Sequence, residues 1–176
     1  MRRLRIPALL LAALLVLSGC KRQQPVQVET VEEEGLELVS AVHAADPRAA
    51  SQLVRGFHDV EQNAWRWTRG KFAITLKVPA GASEKGGLLE LKFAVPESVL
   101  ARKKKITLSA SIDGAAVEPE SYEATGEQTY RKEIPAGALR TPAVTIDFAL
   151  DQFLAAGEVE SRELGVVFTS ISLTSR

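Results

Sequence analysis

The sequence predicts an all-β protein, an antiparallel two-sheet β-sandwich of jelly-roll type with about eight strands. Three observations point there. Segments with apolar residues at every second position recur along the chain, turn-forming residues separate them, and no long stretch carries apolar residues at helical spacing. At 176 residues the chain suits one domain with a tail.

The first 19 residues read as an address rather than as part of that fold. Arg2, Arg3 and Arg5 make a basic start, and Ile6 to Leu17 is an apolar run. Such a run is too short for a bilayer core, which takes about 20 residues of helix, and fits the middle of a secretory signal. It ends in Leu17-Ser18-Gly19-Cys20, which holds the only Cys of the chain. A single Cys excludes an intrachain disulfide and any multi-Cys metal cage. The Leu-Ser-Gly-Cys tail resembles the lipobox of bacterial lipoproteins. That resemblance implies cleavage before Cys20, a diacylglyceryl group on its thiol, acylation of the new amine, and thus a membrane partner. Two or more acyl chains anchor stably where one is marginal. By resemblance to the sorting pattern of Gram-negative lipoproteins, Lys21 after the Cys implies the outer membrane in a two-membrane organism.

Residues 20–35 read as the lipidated Cys and a flexible tether. Lys21 to Pro25 is polar and Glu32, Glu33 and Glu34 form an acidic run, a composition too poor in apolar area to offset chain entropy. The sandwich is expected over 36–176. The whole chain carries 22 Lys and Arg against 22 Asp and Glu, and three of the Arg fall in the leader. The remainder is mildly acidic, which excludes nucleic-acid binding through bulk basicity.

The elements follow in order. Leu36, Leu38, Ser40 and Val42 alternate as a first strand, which Asp46-Pro47 breaks. Residues 48–55 fit either a short helical turn or the lead into a strand. Phe72, Ile74, Leu76 and Val78 share one face. So do Leu89, Leu91, Phe93 and Val95, then Ile106, Leu108, Ala110 and Ile112, then Val144, Ile146, Phe148 and Leu150; each set predicts a half-buried antiparallel strand. Pro79-Ala80-Gly81, Gly86-Gly87, Asp113-Gly114 and Pro135-Ala136-Gly137 supply the turns. Asp113-Gly114 tolerates the positive φ of a hairpin. In the last segment Leu164, Val166 and Phe168 fall on one face and Val167, Ile171 and Leu173 largely on the other, which predicts a central strand covered on both sides. Glu97–Arg102 and Asp151–Ala156 could each form one helical turn. Arg102-Lys103-Lys104-Lys105 reads as a solvated loop and edge guard, or as a contact for anionic lipid headgroups or lipopolysaccharide.

The chemistry-bearing residues concentrate in Gly56 to Thr68 and in Ser161 to Gly165. Trp65 and Trp67, two apart in a strand, point to one face with Arg66 opposite. Either they are heavy core residues, or one ring is exposed beside Glu61 and Arg66 as a platform for a sugar face. A bidentate Arg–carboxylate pair of Glu61 with Arg162, or of Arg66 with Glu163, would join the two segments as a brace or as ligand contacts. His43 and His58 have no metal-ligand spacing, and no nucleophile elbow or phosphate-cradling loop occurs.

The order Phe57, Glu61, Trp65-Arg66-Trp67-Thr68, then Arg162-Glu163-Leu164-Gly165, resembles a β-sandwich domain of bacterial envelope proteins. Similar jelly rolls, related to galactose-binding-like modules, are appended to bacterial glycosyltransferases. The resemblance covers roughly 36–174 and implies a jelly roll with a saccharide-related role. It assigns no catalytic residue. An aromatic residue follows Gly-Phe in those domains, where this chain has His58. The expectation is a non-enzymatic, lipid-anchored envelope module without cofactor or metal. Its binding candidates are Glu61, Trp65, Arg66, Trp67, Arg162 and Glu163, and its partner is a glycan or, alternatively, an envelope protein in a structural assembly.

Overall fold

The computed structural model describes residues 37–176. The expected leader, Cys20 and the tether lie outside the described residues. Among the described residues no helix is long and apolar enough to cross a membrane. The described residues form nine strands: β1 (Ala41–His43), β2 (Leu53–Glu61), β3 (Trp65–Lys77), β4 (Gly87–Val95), β5 (Ile106–Ile112), β6 (Ala115–Tyr122), β7 (Gly126–Ile134), β8 (Ala143–Leu150) and β9 (Val167–Ser175). Two short helices, α1 (Ala82–Lys85) and α2 (Glu97–Lys103), interrupt them. Hydrogen bonding runs β6-β5-β8-β3-β9-β4-β7, with β1 on β9 and β2 on β3.

This ladder folds into two layers because β3 changes partner along its length. Lys71 to Lys77 pair with β8, whereas Arg66 and Trp67 pair with β9. One layer is therefore β6, β5, β8 and late β3, and the other is β7, β4, β9 and early β3. Aromatic contacts join the layers. Phe93 of β4 meets Tyr122 of β6 at 5.0 Å between ring centroids, and Tyr130 of β7 meets Phe148 of β8 at 6.2 Å. The predicted faces are the buried ones: Phe72, Ile74 and Leu76, then Leu89, Leu91, Phe93 and Val95, then Ile106, Leu108 and Ile112, then Val144, Ile146 and Phe148. The all-β sandwich expected from alternation is the fold observed.

Several details differ, each for a local reason. The expected first strand shrinks to Ala41–His43, because the buried Gln52 side chain takes over the preceding backbone. Its amide donates to the carbonyls of Val39 and Thr75 at 2.9 and 2.7 Å and accepts the Val39 N–H at 2.9 Å. Residues 48–55 satisfy both readings, with a 3-10 turn over Pro47–Gln52 capped by Asp46 and then the start of β2. Asp151–Ala156 is not helical; the Asp151 carboxylate instead accepts the Thr107 N–H at 2.6 Å.

β9 is central in hydrogen bonding but does not bury two faces. Ser170 pairs with Lys92 and Phe168 with Phe93, so Thr169 is an extra residue, a β-bulge. The bulge shifts the alternation by one, and Phe168, Ile171 and Leu173 all reach the same core. β5 lies between β6 and β8, so the Arg102–Lys105 run guards no edge. It forms the last turn and C-cap of α2, where basic groups suit the helix dipole.

Candidate ligand site at the β2–β3 pole

β2 ends and β3 begins at one pole of the sandwich, through a hairpin turn with Gln62 and Asn63 at φ 51° and 53°. Ala64 N–H donates to the Glu61 carbonyl at 3.1 Å, and Asn suits a turn with two positive φ values. Across this hairpin Glu61 is the direct partner of Trp65. Directly opposed residues of an antiparallel pair share a face, so Glu61, Trp65 and Trp67 point the same way.

The segment from Asp151 to Val166 crosses this pole from β8 to β9. It is fixed where β3 changes layers, since the β3 edge opposite β2 lacks a regular strand partner between its pairings with β9 and β8. Gly165 N–H donates to the Thr68 carbonyl at 2.7 Å, Thr68 N–H donates to the Val166 carbonyl at 2.8 Å, and Val166 N–H donates to the buried Thr68 hydroxyl at 3.1 Å. The Glu163 carboxylate accepts the Gly70 N–H at 2.7 Å. His58 Nε2 lies 2.7 Å from the Glu163 carbonyl. Gly165 permits this approach; a Cβ there would sit 2.6 Å from the Thr68 hydroxyl oxygen.

With the segment fixed, Arg162 reaches Glu61 at 2.8 Å through Nη1. Its Nε and Nη2 both donate to Glu160, the second at 3.3 Å. Three of the five guanidinium N–H groups are thus engaged by carboxylates. The Arg162 side chain stays 36% exposed and that of Glu61 34%, so the remaining donors and lone pairs open to solvent. The Arg162 guanidinium holds the Glu160 carboxyl below its ordinary range, and the two carboxylates together raise the guanidinium further. A glycosidase acid needs the opposite shift, toward retaining its proton. Glu160 is thus poorly suited to act as such an acid. Among the described residues no group of three or more His, Cys, Asp or Glu is placed to hold a metal ion.

Both indoles are partly buried and stand nearly perpendicular, at 82° with centroids 6.3 Å apart. Trp67 packs against the core cluster, and Trp65 stands T-shaped to Trp67, so the two rings form a corner on the face that they share with Glu61. Neither alternative from the sequence holds in pure form: one ring is a core support and the other extends it outward.

Of the two pairings the sequence offers, Glu61 with Arg162 is formed and Arg66 with Glu163 is not. Arg66 lies on the other face of β3, where Nε donates to the Ala44 carbonyl at 2.7 Å and Nη1 to the His58 carbonyl at 3.0 Å. Glu163 is committed to Gly70. Both act as braces behind the half-buried group of Glu61, Trp65, Trp67 and Arg162. Sequence reasoning missed Glu160, because two residues of separation within a loop carry no readable periodicity.

The chain matches no protein-family model and no curated protein. Among solved structures it is similar to a family GH115 4-O-methyl-α-glucuronidase with specificity for decorated arabinogalactans, at 10% identity and a TM-score of 0.50, over 80% of this chain and 18% of that one. It also resembles a family 35 carbohydrate-binding module from an environmental isolate, with 16% identity, a TM-score of 0.43, and 82% and 90% of the two chains covered. A third is the CBM36-1 domain of a multidomain xylanase from the hindgut metagenome of Trinervitermes trinervoides, with 12% identity, a TM-score of 0.37 and 62% and 75% coverage. The chain spans less than a fifth of the glucuronidase, and that likeness is one of fold.

Proposed function

We propose that this chain is a non-enzymatic, lipid-anchored protein of the bacterial envelope whose sandwich binds a carbohydrate at the Trp65–Trp67 corner. The observation that carries the reading is the adjacency of a partly exposed Trp65 to Glu61, whose carboxylate is held by Arg162. A sugar ring offers an apolar face to an indole and hydroxyls at its edge to charged donors and acceptors. The site supplies both on one surface. The sandwich shared with a segment of a carbohydrate-active enzyme fits this reading. The anchor rests on the Leu17-Ser18-Gly19-Cys20 leader, and Lys21 favours the outer membrane.

Retention of solubilised envelope glycans by the protein, compared with Trp65→Ala, tests the site. Loss of retention in the variant is the expected result, and equal retention contradicts it. Intact mass of the protein from membranes tests the anchor, since acylation adds hundreds of daltons to Cys20. A second reading, a structural or protein-interaction lipoprotein, draws on the commitment of Arg66 and Glu163 to backbone groups. A stoichiometric protein partner on cross-linking in cells would favour it.

A further inference from the structure

A second charged feature shares the pole with the Trp corner. α2 leaves β4 after Val95 and delivers the chain to β5 at Ile106, so it crosses from one layer to the other. Trp67 is the cross-strand partner of Val167, and Val167 of Ala94, which places the Trp corner two strands from the start of the helix. Lys103 Nζ lies 3.0 Å from Glu158 Oε1. That ion pair ties the helix to the Asp151–Val166 segment, the one that also carries Arg162.

Lys103 is thereby spent. Arg102, Lys104 and Lys105 are exposed and have no carboxylate within salt-bridge distance among the described residues. Of the acids along the segment, Glu158 is occupied by Lys103, Glu160 by Arg162, and Asp151 by the Thr107 N–H. The backbone makes the arrangement unusual. Lys104 has φ 61° and ψ −40°, and Lys105 N–H donates to the Lys103 carbonyl at 2.7 Å. This is a γ-turn of the rare positive-φ kind, a strained position where glycine would ordinarily close the helix. The chain keeps a lysine there, between two other cations.

From this we infer that the glycan bound at the pole is an anionic polysaccharide. Its sugar faces rest on the Trp65–Trp67 corner, and its negative groups reach Arg102, Lys104 and Lys105 across the Asp151–Val166 segment. This rests on the proposed glycan reading and adds the ligand's charge. The domain as a whole is slightly acidic, so attraction for a polyanion must come from a local cluster rather than from net charge.

The experiment compares the full-length protein in detergent with two variants, Lys104→Glu/Lys105→Glu and Lys104→Gly. Each is titrated with polygalacturonate, with a neutral galactan, and with vesicles of anionic phosphatidylglycerol. The expected result is polygalacturonate binding that weakens with added salt and falls at least about tenfold in the double variant, given the contribution of each cation near an anionic surface. Lys104→Gly is expected to melt at a higher temperature, yet to bind polygalacturonate more weakly. Neutral galactan bound equally by parent and double variant, with polygalacturonate unaffected by the reversal, overturns the anionic ligand and leaves the glycan reading standing. Failure of the parent to bind either polymer removes both. Binding to vesicles through Lys104 and Lys105 without polygalacturonate binding overturns the inference in favour of a membrane surface.

Discussion

Glu61 and Arg162 stand 101 positions apart in the sequence and meet at 2.8 Å across the pole of the sandwich. The contact connects the end of β2 to a segment that also holds the corner of β3, and it lies directly beside Trp65. Because about a third of each side chain is exposed, the pair contributes little to stability, on the order of 1 kcal/mol or less. Arg162→Leu is therefore expected to leave the urea midpoint nearly unchanged while removing glycan retention. A large loss of stability with binding intact would assign the pair to bracing alone.

Gly165 and Thr68 behave differently. A Cβ on Gly165 would meet the Thr68 hydroxyl oxygen at 2.6 Å, the Arg69 carbonyl oxygen at 2.7 Å and Leu150 Cδ1 at 2.8 Å. The Arg69 carbonyl cannot retreat without moving the crossing of β3. Gly165→Ala should destabilise the protein by about 1–3 kcal/mol, read as a lower midpoint of urea unfolding. Thr68→Val should cost a similar amount, about 1–3 kcal/mol, by leaving the Val166 N–H without its buried acceptor.

How far the sequence reveals this architecture depends on burial. β4, β5 and β8 each bury one face, so apolar alternation marks them clearly. β6 and β7 are edge strands, and β6 carries Glu118, Pro119 and Glu120 at a bulge opposite β5. Charges and proline suit an exposed edge but erase the alternation by which a strand is recognised. The bulge at Thr169 in β9 likewise makes a one-faced strand look two-faced. At the site, the shared face of Trp65 and Trp67 follows from their spacing. The choice of Arg162 as partner for Glu61 follows only from the path of Asp151–Val166, which backbone bonds to Thr68 and Gly70 determine.

At the acid end Glu160 is one of several carboxyls held low by a neighbouring cation. Arg162 holds its carboxyl below the ordinary range, so its pairing persists at pH values where free carboxylates protonate. A lowered folded pKa stabilises above the unfolded value, and that contribution fades as pH falls through the folded one. Carbon-13 NMR titration of glutamate carboxyls should give Glu160 a midpoint below those of unpaired glutamates. Removing the guanidinium in Arg162→Leu should return it toward them.

At the alkaline end Tyr130 matters more. Burial, with Glu120 and Glu118 nearby, pushes its hydroxyl up to about 12, and the hydroxyl donates to the Glu118 carbonyl at 2.7 Å. The unfolded chain loses this proton near pH 10 while the folded protein retains it. The resulting stability is complete below about pH 10 and disappears as pH rises toward 12. Urea midpoints should fall across that window; Tyr122, also raised by burial, adds to the fall, and Tyr130→Phe should make it shallower.

The account turns on Trp65 meeting sugar. Following the two indole N–H resonances by NMR during titration with a purified envelope glycan tests this most directly. A saturable shift at Trp65 and a smaller one at Trp67 are expected, with Trp65→Ala abolishing binding while the fold persists. Saturating glycan that leaves both indole resonances unmoved would contradict it.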